Sequence, residues 1–554
     1  MLFKGPCSVH SRLAHMLMAL LLVGLFVQTL RIATDRKRSP LLKDAEVIPE
    51  GNASPEELYL GRLTRELGLS HEASWVAWRI QPSEQSEVWP SVTEVQLNFG
   101  AVTPKTINLA SPDRMDLYAK KRMELPVPTG PKLGDVDASD FLFGISTTYA
   151  RISDRDYAMI KAWARWLTDG HHHSNGASMV VVLDQANAGQ LDEVDRALQA
   201  SGLDCWVTTT EEPMSMARRY FELTRILKTF AANLAANGQN KRWFGLVEDD
   251  VFFPSLSYLR DRLFTYNTDQ QHYIGLPSEK LDWDTSENEQ IQTHGGGAVL
   301  LTLSALTRIP NLPCFEAEHS KKTSFKSKRW DELLHTCLMK HTELQMHVLP
   351  GFYSPNDKTI DENVDSYETG QQPLLLRRYA HRHLLNINKA HLVTNVCGES
   401  CFMQRYLFKD NWVLVNGISI TQYPDGVKIE HKEGHNSAPT EEKKEDKQKR
   451  SNLEAEEAER DVSSSLSRRL FIDDDSGSVD RATLSWSGRR NSWKLVDSAV
   501  SKDGAVWQAY LKRGKKNSAR DVQQQQQQQQ QPGNSADEKD SIIVLVWEQA
   551  KSAL

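Results

Sequence analysis

The chain has 554 residues, with 66 lysines and arginines against 73 aspartates and glutamates, a net charge of −7. That mild acidity argues against a dedicated nucleic-acid binder, which carries a basic face, and 30 glycines with 22 prolines exclude a collagen-like or wholly disordered chain. Six cysteines are too few for a disulfide scaffold, and a hydrophobic share of 39% leaves room for tails and linkers beside roughly three or four compact units.

At the N-terminus, residues 16–30 (MLMALLLVGLFVQTL), extendable to 13–32, form a long apolar run. No small-x-small cleavage site follows, so the expectation is a head at 1–12 and an uncleaved signal-anchor helix at 13–32. Lys4 and Arg12 precede the run, and Arg31, Arg36, Lys37 and Arg38 follow it. A naive positive-inside count points the C-terminus at the cytosol, whereas a short head on a single anchor points the large domain at the lumen. The sequon Asn52-Ala53-Ser54 is compatible with the lumen. Beyond the anchor the cysteines number an odd five: Cys314 could pair with Cys337 and Cys397 with Cys401, leaving Cys205, but spacing does not fix connectivity.

Residues 34–70 read as a polar stem. In the proline-rich stretch to 136, Val95, Leu97 and Phe99 alternate with polar residues as in a half-buried strand. From Phe141 the pattern sharpens. FLFGI at 141–145, MVVVL at 179–183 and WFGLV at 243–247 are buried-strand runs. Tyr157, Ile160, Ala164 and Leu167, then Tyr220, Leu223, Leu227 and Phe230, recur at helical spacing. Strands alternating with helices predict an α/β domain with a mainly parallel sheet, whose ligands gather at the carboxyl ends of the strands. After about residue 430 come a mixed-charge block at 441–460 and nine glutamines at 523–531. Apolar pieces at 412–415, 492–496, 506–511 and 542–547 predict a small β-rich C-terminal module around disordered insertions.

The third strand runs straight into Glu248-Asp249-Asp250. Three consecutive carboxylates there need a cation, and oxygen donors suit Mg²⁺ or Mn²⁺ bridging a diphosphate; a solvated acidic loop is the equal alternative. Asp473-Asp474-Asp475 lacks a preceding strand and reads as a decoy. Gly295-Gly296-Gly297 permits close backbone approach to a ligand, though most such runs are simple turns. Trp330-Asp331-Glu332 reads as a helix start, with Asp331 either a positioned base or a helix-terminal acid. His171-His172-His173 reads as a polar loop. His381 and His383 follow Arg377-Arg378, a stretch that could ligate metal or meet phosphate, or be plain basic surface.

The order VEDDVFFP, HYIG, HGGGAVLLTLSAL, Cys314, WDELLHTC and VLPGF resembles the Fringe-like glycosyltransferases of family 31, and their fungal branch most closely. The likeness begins at FLFGISTTYAR, takes in MARRYF at 216–221, GQQPLL at 370–375 and CGESC at 397–401, and reaches LVW at 545–547. It implies a single-pass type II membrane protein of the Golgi or endoplasmic reticulum, with a GT-A-type nucleotide-sugar domain. Such enzymes are inverting, moving a sugar from a UDP-sugar to a hydroxyl of a glycan or glycoprotein, usually with Mn²⁺. Carried over by position, Asp250 becomes the main metal ligand, assisted by Glu248, Asp249 and His381. Asp331 becomes the base, and Gly295, Gly296, Gly297 and Arg219 line the donor and acceptor site. A catalytically silent glycan-binding or scaffolding relative is the alternative.

Two departures stand out. Glu248 replaces the family's first aspartate, and Leu376-Arg377-Arg378-Tyr379 stands where the family tends to carry a metal-binding histidine. The expected plan is head 1–12, anchor 13–32, stem and N-terminal lumenal segment 33–136, GT-A-like domain 137–395, and β-rich module 396–554 with insertions near 436–480 and 514–540.

Overall fold

The computed structural model describes residues 47–48, 53–86, 92–128, 130–276, 284–285, 291–292, 295, 297–315, 329–349, 373–382, 384–431, 482–514 and 539–549. The anchor segment, the sequon asparagine, Gly296, His383, the Asp473 cluster and the glutamine tract lie outside these residues. Among the described residues no helix is long and apolar enough to cross a membrane.

The fold is α/β, with a mostly parallel seven-stranded sheet at its centre. In chain order its elements are β1 (Phe141–Thr147), α1 (Tyr149–Ile152), α2 (Asp154–Leu167), β2 (Ser178–Leu183), α3 (Ala188–Ala200), β3 (Cys205–Thr209), α4 (Met216–Ala236) and β4 (Trp243–Val247). There follow α5 (Leu256–Leu263), β5 (Tyr273–Gly275), β6 (Ala298–Thr302), α6 (Trp330–His341) and β7 (Met346–Val348). The strand order is β7-β5-β6-β4-β1-β2-β3. Strands β4, β1, β2 and β3 are parallel neighbours, and β6 runs antiparallel between β4 and β5. The three apolar runs read from the sequence fall on β1, β2 and β4. Every residue of those strands is buried, because helices cover the sheet and no alternation survives. Leu223 and Leu227 of α4 pack into the core with Leu142, Val180 and Phe244.

A second sheet of ten strands changes the expected domain plan. Its C-terminal strands Arg405–Phe408, Trp412–Val415, Ser419–Gln422, Asn491–Val500, Val506–Lys512 and Asp540–Trp547 match the apolar pieces of the sequence. The stretch expected as stem and N-terminal segment supplies the rest: Glu72–Ser86, Thr93–Val95, Lys105–Asn108 and Lys121–Pro128. Ala73–Ile80 pairs in parallel with Asp540–Trp547, so the two ends of the chain complete one sheet. Parallel pairing between segments over 450 residues apart leaves no local pattern to read. Phe99 is buried, but in a short 3-10 turn rather than a strand.

A buried ion cluster fastens two helices to the ten-stranded sheet. Asp497 is engaged by Arg62 of the helix Pro55–Leu67 (Nε to Oδ2 3.0 Å) and by Lys389 of the helix Ile387–Ala390 (Nζ to Oδ1 2.5 Å). Two disulfides form, Cys314–Cys337 and Cys397–Cys401, and Cys205 is free. The first fastens the chain after β6 to α6.

The second encloses Glu399, whose buried carboxylate accepts from Ser255 Oγ (2.8 Å), Ser257 Oγ (2.8 Å) and the Ser257 backbone N–H (3.2 Å) at the start of α5. Burial raises its carboxyl above the usual range, with the serine hydrogen bonds opposing. A folded pKa above the unfolded one means that Glu399 favours the fold at low pH and loses that contribution as pH rises through the folded value. Glu399→Gln keeps an acceptor and removes the titration. The variant's urea midpoint should therefore gain on the wild type as pH rises above the ordinary glutamate range of about 4. A difference that stays constant with pH would show that Glu399 does not titrate in this way.

Candidate active site

Strand β4 delivers Glu248, Asp249 and Asp250 to the carboxyl edge of the parallel strands, where α/β sheets collect ligands. The chain itself supplies most of the counter-charge. Glu248 is held in a two-pronged pair by Arg377, whose side chain is only 4% exposed (Nε to Oε2 2.9 Å, Nη2 to Oε1 2.9 Å). The Trp330 indole N–H also donates to Glu248 Oε1 at 3.1 Å. Asp249 is gripped by Arg151 of α1 (Nε to Oδ2 2.7 Å, Nη2 to Oδ1 2.6 Å) and accepts from the Thr147 hydroxyl. Glu248 and Asp249, expected to assist at a cation, thus have their oxygens taken up by guanidinium, indole and hydroxyl donors.

Asp250 differs. Its Oδ1 is buried without a hydrogen-bond partner, and its Oδ2 lies 3.8 Å from Arg151 Nη2. Burial, with Asp249 and Glu248 alongside, raises its carboxyl above the ordinary range. Three carboxylates against two guanidiniums leave one negative charge, on the residue with a bare oxygen. Among the described residues no three His, Cys, Asp or Glu side chains gather as a metal cage. His381 falls in the short helix Tyr379–Arg382, and its side chain lies outside the described residues.

Trp330, the neighbour of Asp331, joins this tip. Trp330 opens α6, stacks on Tyr220 of α4 (ring centroids 4.1 Å apart) and bonds Glu248, while the Tyr220 hydroxyl donates to the Val247 carbonyl at 2.7 Å. Asp331 itself is fully buried, held by Arg329 (Nε to Oδ1 3.1 Å, Nη2 to Oδ2 2.5 Å) and by the Glu332 N–H. The Tyr273 hydroxyl is buried without a partner, and burial with the Asp331 charge raises its pKa.

The glycine turn joins the same cluster. The Glu248 N–H donates to the Gly297 carbonyl at 2.9 Å. Gly297 has φ +89°, and a Cβ there would lie 2.6 Å from Arg377 Nε. Glycine is therefore required so that Arg377 can reach Glu248. Gly295, at φ +117°, would set a Cβ 2.5 Å from Val299 Cγ1. Both described glycines are explained by backbone and packing, where the expectation was a lining of the ligand site. Arg219 spans the tips of β1 and β2, bonding Ser146 Oγ (2.9 Å), Asp184 Oδ2 (2.8 Å) and the Met214 carbonyl (2.7 Å).

Arg151, Trp330 and Arg377 were not assigned these roles from sequence. Arg151 stands four residues beyond the end of β1, and an arginine so near a strand tip facing an acidic one was the available signal. In the sequence Arg377 reads as a partner for phosphate or as plain basic surface.

No family model matches the chain, and none of the curated proteins does. Solved structures with local likeness include the glycosyltransferase GlyE of Streptococcus pneumoniae TIGR4, at 12% identity over 38% of this chain and 45% of that one, TM-score 0.25. Mouse xyloside xylosyltransferase 1 matches at 13% identity over 38% of this chain and 84% of its own, TM-score 0.23. The 4-diphosphocytidyl-2C-methyl-D-erythritol synthase of Anaerococcus prevotii DSM 20548 matches at 10% identity over 40% and 92%, TM-score 0.25. The match to GlyE spans less than half of that chain's length. Likenesses this distant fix no activity.

Proposed function

We propose that this chain is a glycosyltransferase that moves a sugar from a UDP-sugar to a hydroxyl of a glycan or glycoprotein with inversion. Asp250 carries the reading: a bare, buried carboxylate oxygen bearing the net negative charge of a tip whose other acids are neutralised. Small hard cations commonly take one or two protein carboxylates and complete their shell with substrate phosphates and water, so the donor set suits Mg²⁺ or Mn²⁺. Bound there, the cation would offset the charge of a leaving diphosphate.

The chain's own groups do the rest. Arg377 and Arg151 fix Glu248 and Asp249, so that Asp250 projects from a rigid tip. The Trp330–Glu248 bond sets the start of α6 against that tip, and Asp331 accepts the proton of the attacking hydroxyl. One base suffices for inversion, because no covalent sugar–enzyme bond is needed. The Fringe-like, GT-A-type assignment to family 31, the anchor at 13–32 and a Golgi or endoplasmic-reticulum membrane location belong to the same proposal. The anchor rests on its apolar run and the others on motif order in the sequence.

The test is nucleotide release by the purified lumenal portion with Mn²⁺, a panel of UDP-sugars and mixed glycan acceptors. Acceptor-stimulated UDP release, reduced about a hundredfold or more in Asp331→Asn, is expected. Release that is equal in wild type and variant would remove the mechanism. A second reading draws on the Arg329 grip on Asp331 and the arginine-sealed acids: a silent relative that binds nucleotide or glycan. Thermal stabilisation by UDP without release for any donor would select it.

A further inference from the structure

The segment that carries Arg151 has little stability of its own. Helix α1 is a single turn, Tyr149–Ile152, far too short to persist by itself. Beyond Ser153 the backbone then places three successive residues in the left-handed region: Arg155 (φ 49°, ψ 47°), Asp156 (φ 56°, ψ 53°) and Tyr157 (φ 56°, ψ 35°). None is a glycine. L residues visit that region singly and not in runs, because each Cβ crowds the following carbonyl. Strain of this kind persists where the surroundings over-determine it. From this segment Arg151, with half of its side chain exposed, must hold both oxygens of Asp249.

One carboxylate ties both ends of the segment. Glu193 of α3 accepts from the Tyr149 hydroxyl at 2.8 Å and from the Tyr157 hydroxyl. Tyr149 opens α1 and Tyr157 closes the left-handed turn, so the two bonds bracket the strained stretch. The hydroxyls, that of Tyr157 foremost, hold the Glu193 carboxyl below the ordinary glutamate range, and the group is ionised at neutral pH. Thr148 Oγ1, accepting from the Arg151 N–H at 3.3 Å, and buried Ile152 add anchors at the α1 end. At the turn itself Asp156 pairs with Lys161 at the surface, where such a pair holds little.

We propose that Glu193 is a positioning residue for the acid tip: through Tyr149 and Tyr157 it holds the strained turn and so keeps Arg151 on Asp249 and beside Asp250. With the clamp broken, the turn relaxes toward right-handed backbone and Arg151 spends part of its time away from the tip. Three carboxylates then face one guanidinium instead of two. The tip becomes more negative and attracts a cation more strongly, which is opposite in sign to the effect of general loosening. The effect on a cation rests on the metal reading of Asp250; the mechanical coupling of α3 to the tip does not.

The experiment reads both. Full-length wild type, Glu193→Ala, Tyr149→Phe, Tyr157→Phe and Arg151→Gln are titrated with Mn²⁺ in the absence of nucleotide, free Mn²⁺ being followed by electron paramagnetic resonance. The Mn²⁺ Kd should fall about tenfold in Arg151→Gln and about threefold in Glu193→Ala, with each tyrosine variant between wild type and Glu193→Ala. Adding Glu193→Ala to Arg151→Gln should change nothing further, because the clamp acts through Arg151. Weaker Mn²⁺ binding in Glu193→Ala, or a further change on the Arg151→Gln background, would overturn the inference.

Amide hydrogen exchange of the metal-free proteins tests the coupling without any cation. Peptides covering 149–157 and 247–251 should both exchange faster in Glu193→Ala, while Asp540–Trp547 keeps the wild-type rate. Faster exchange at 149–157 alone, or equally throughout the chain, would also overturn it. Joint exchange of the two segments in a protein whose wild type binds no Mn²⁺ would remove the cation from the tip and leave the clamp standing.

Discussion

Asp250→Asn is expected to abolish sugar transfer while leaving the protein as stable as the wild type, or more so. The substitution keeps the shape of the side chain and removes its charge. That charge is half-buried beside two other carboxylates, its Oδ1 has no hydrogen-bond partner, and its pKa is raised. Ionised, it faces two like charges with only a 3.8 Å ion pair to Arg151 to offset them, and neutralising it relieves that repulsion. If the same carboxylate holds the cation, its loss should lower transfer by about two orders of magnitude or more, comparable with removing a principal charge stabiliser from a reacting centre. Urea unfolding of metal-free protein and UDP-release kinetics with Mn²⁺ give the two readouts. Reduced stability with normal transfer would make Asp250 a structural residue and remove the cation from the tip.

The second large effect concerns Arg377. Its guanidinium is buried and doubly bonded to Glu248, which is itself buried and also accepts from Trp330. Arg377→Ala leaves that carboxylate without its cation, a change that costs about 3–5 kcal/mol when a buried pair is broken on one side. Pairing the change with Glu248→Gln, which keeps an acceptor for Trp330 without the charge, should recover a large part of the loss. A double-mutant cycle on urea unfolding should give a coupling of about 2 kcal/mol or more. Additive effects would show that the two side chains do not act as one unit. The cycle also bears on the two sequence departures, since one is Glu248 and the other is the segment that holds Arg377, and the fold places the two residues in one ion pair.

Legibility followed the range of the interactions involved. The core strands could be read because β1, β2 and β4 are covered by helices and their side chains form unbroken apolar runs, bounded by glycines, acids and polar loops. Helices α2 and α4 declared themselves by spacing. The acid tip was visible as three charges where a buried strand ends, and Asp331 as an acid at a helix start. The ten-stranded sheet could not be read as one object, since Glu72–Ser86 finds its parallel partner at Asp540–Trp547. Its C-terminal strands have enough apolar residues to be named, the strands from Glu72 to Pro128 do not, and neither set says what it joins.

By itself, the sequence determined the α/β class, the position of the acidic tip and the residue types able to hold a cation or take a proton, because these depend on local composition and period. Only the tertiary structure decided how the charge at that tip is divided. Arg151, Arg377 and Trp330 come from separate elements and converge on Glu248 and Asp249, so which carboxylate stays bare is a property of packing across more than a hundred residues. The same packing sets the glycine turn, where Gly297 yields its Cβ space to Arg377. A buried charge must find its partner wherever the fold brings one, and sequence distance carries no record of that meeting.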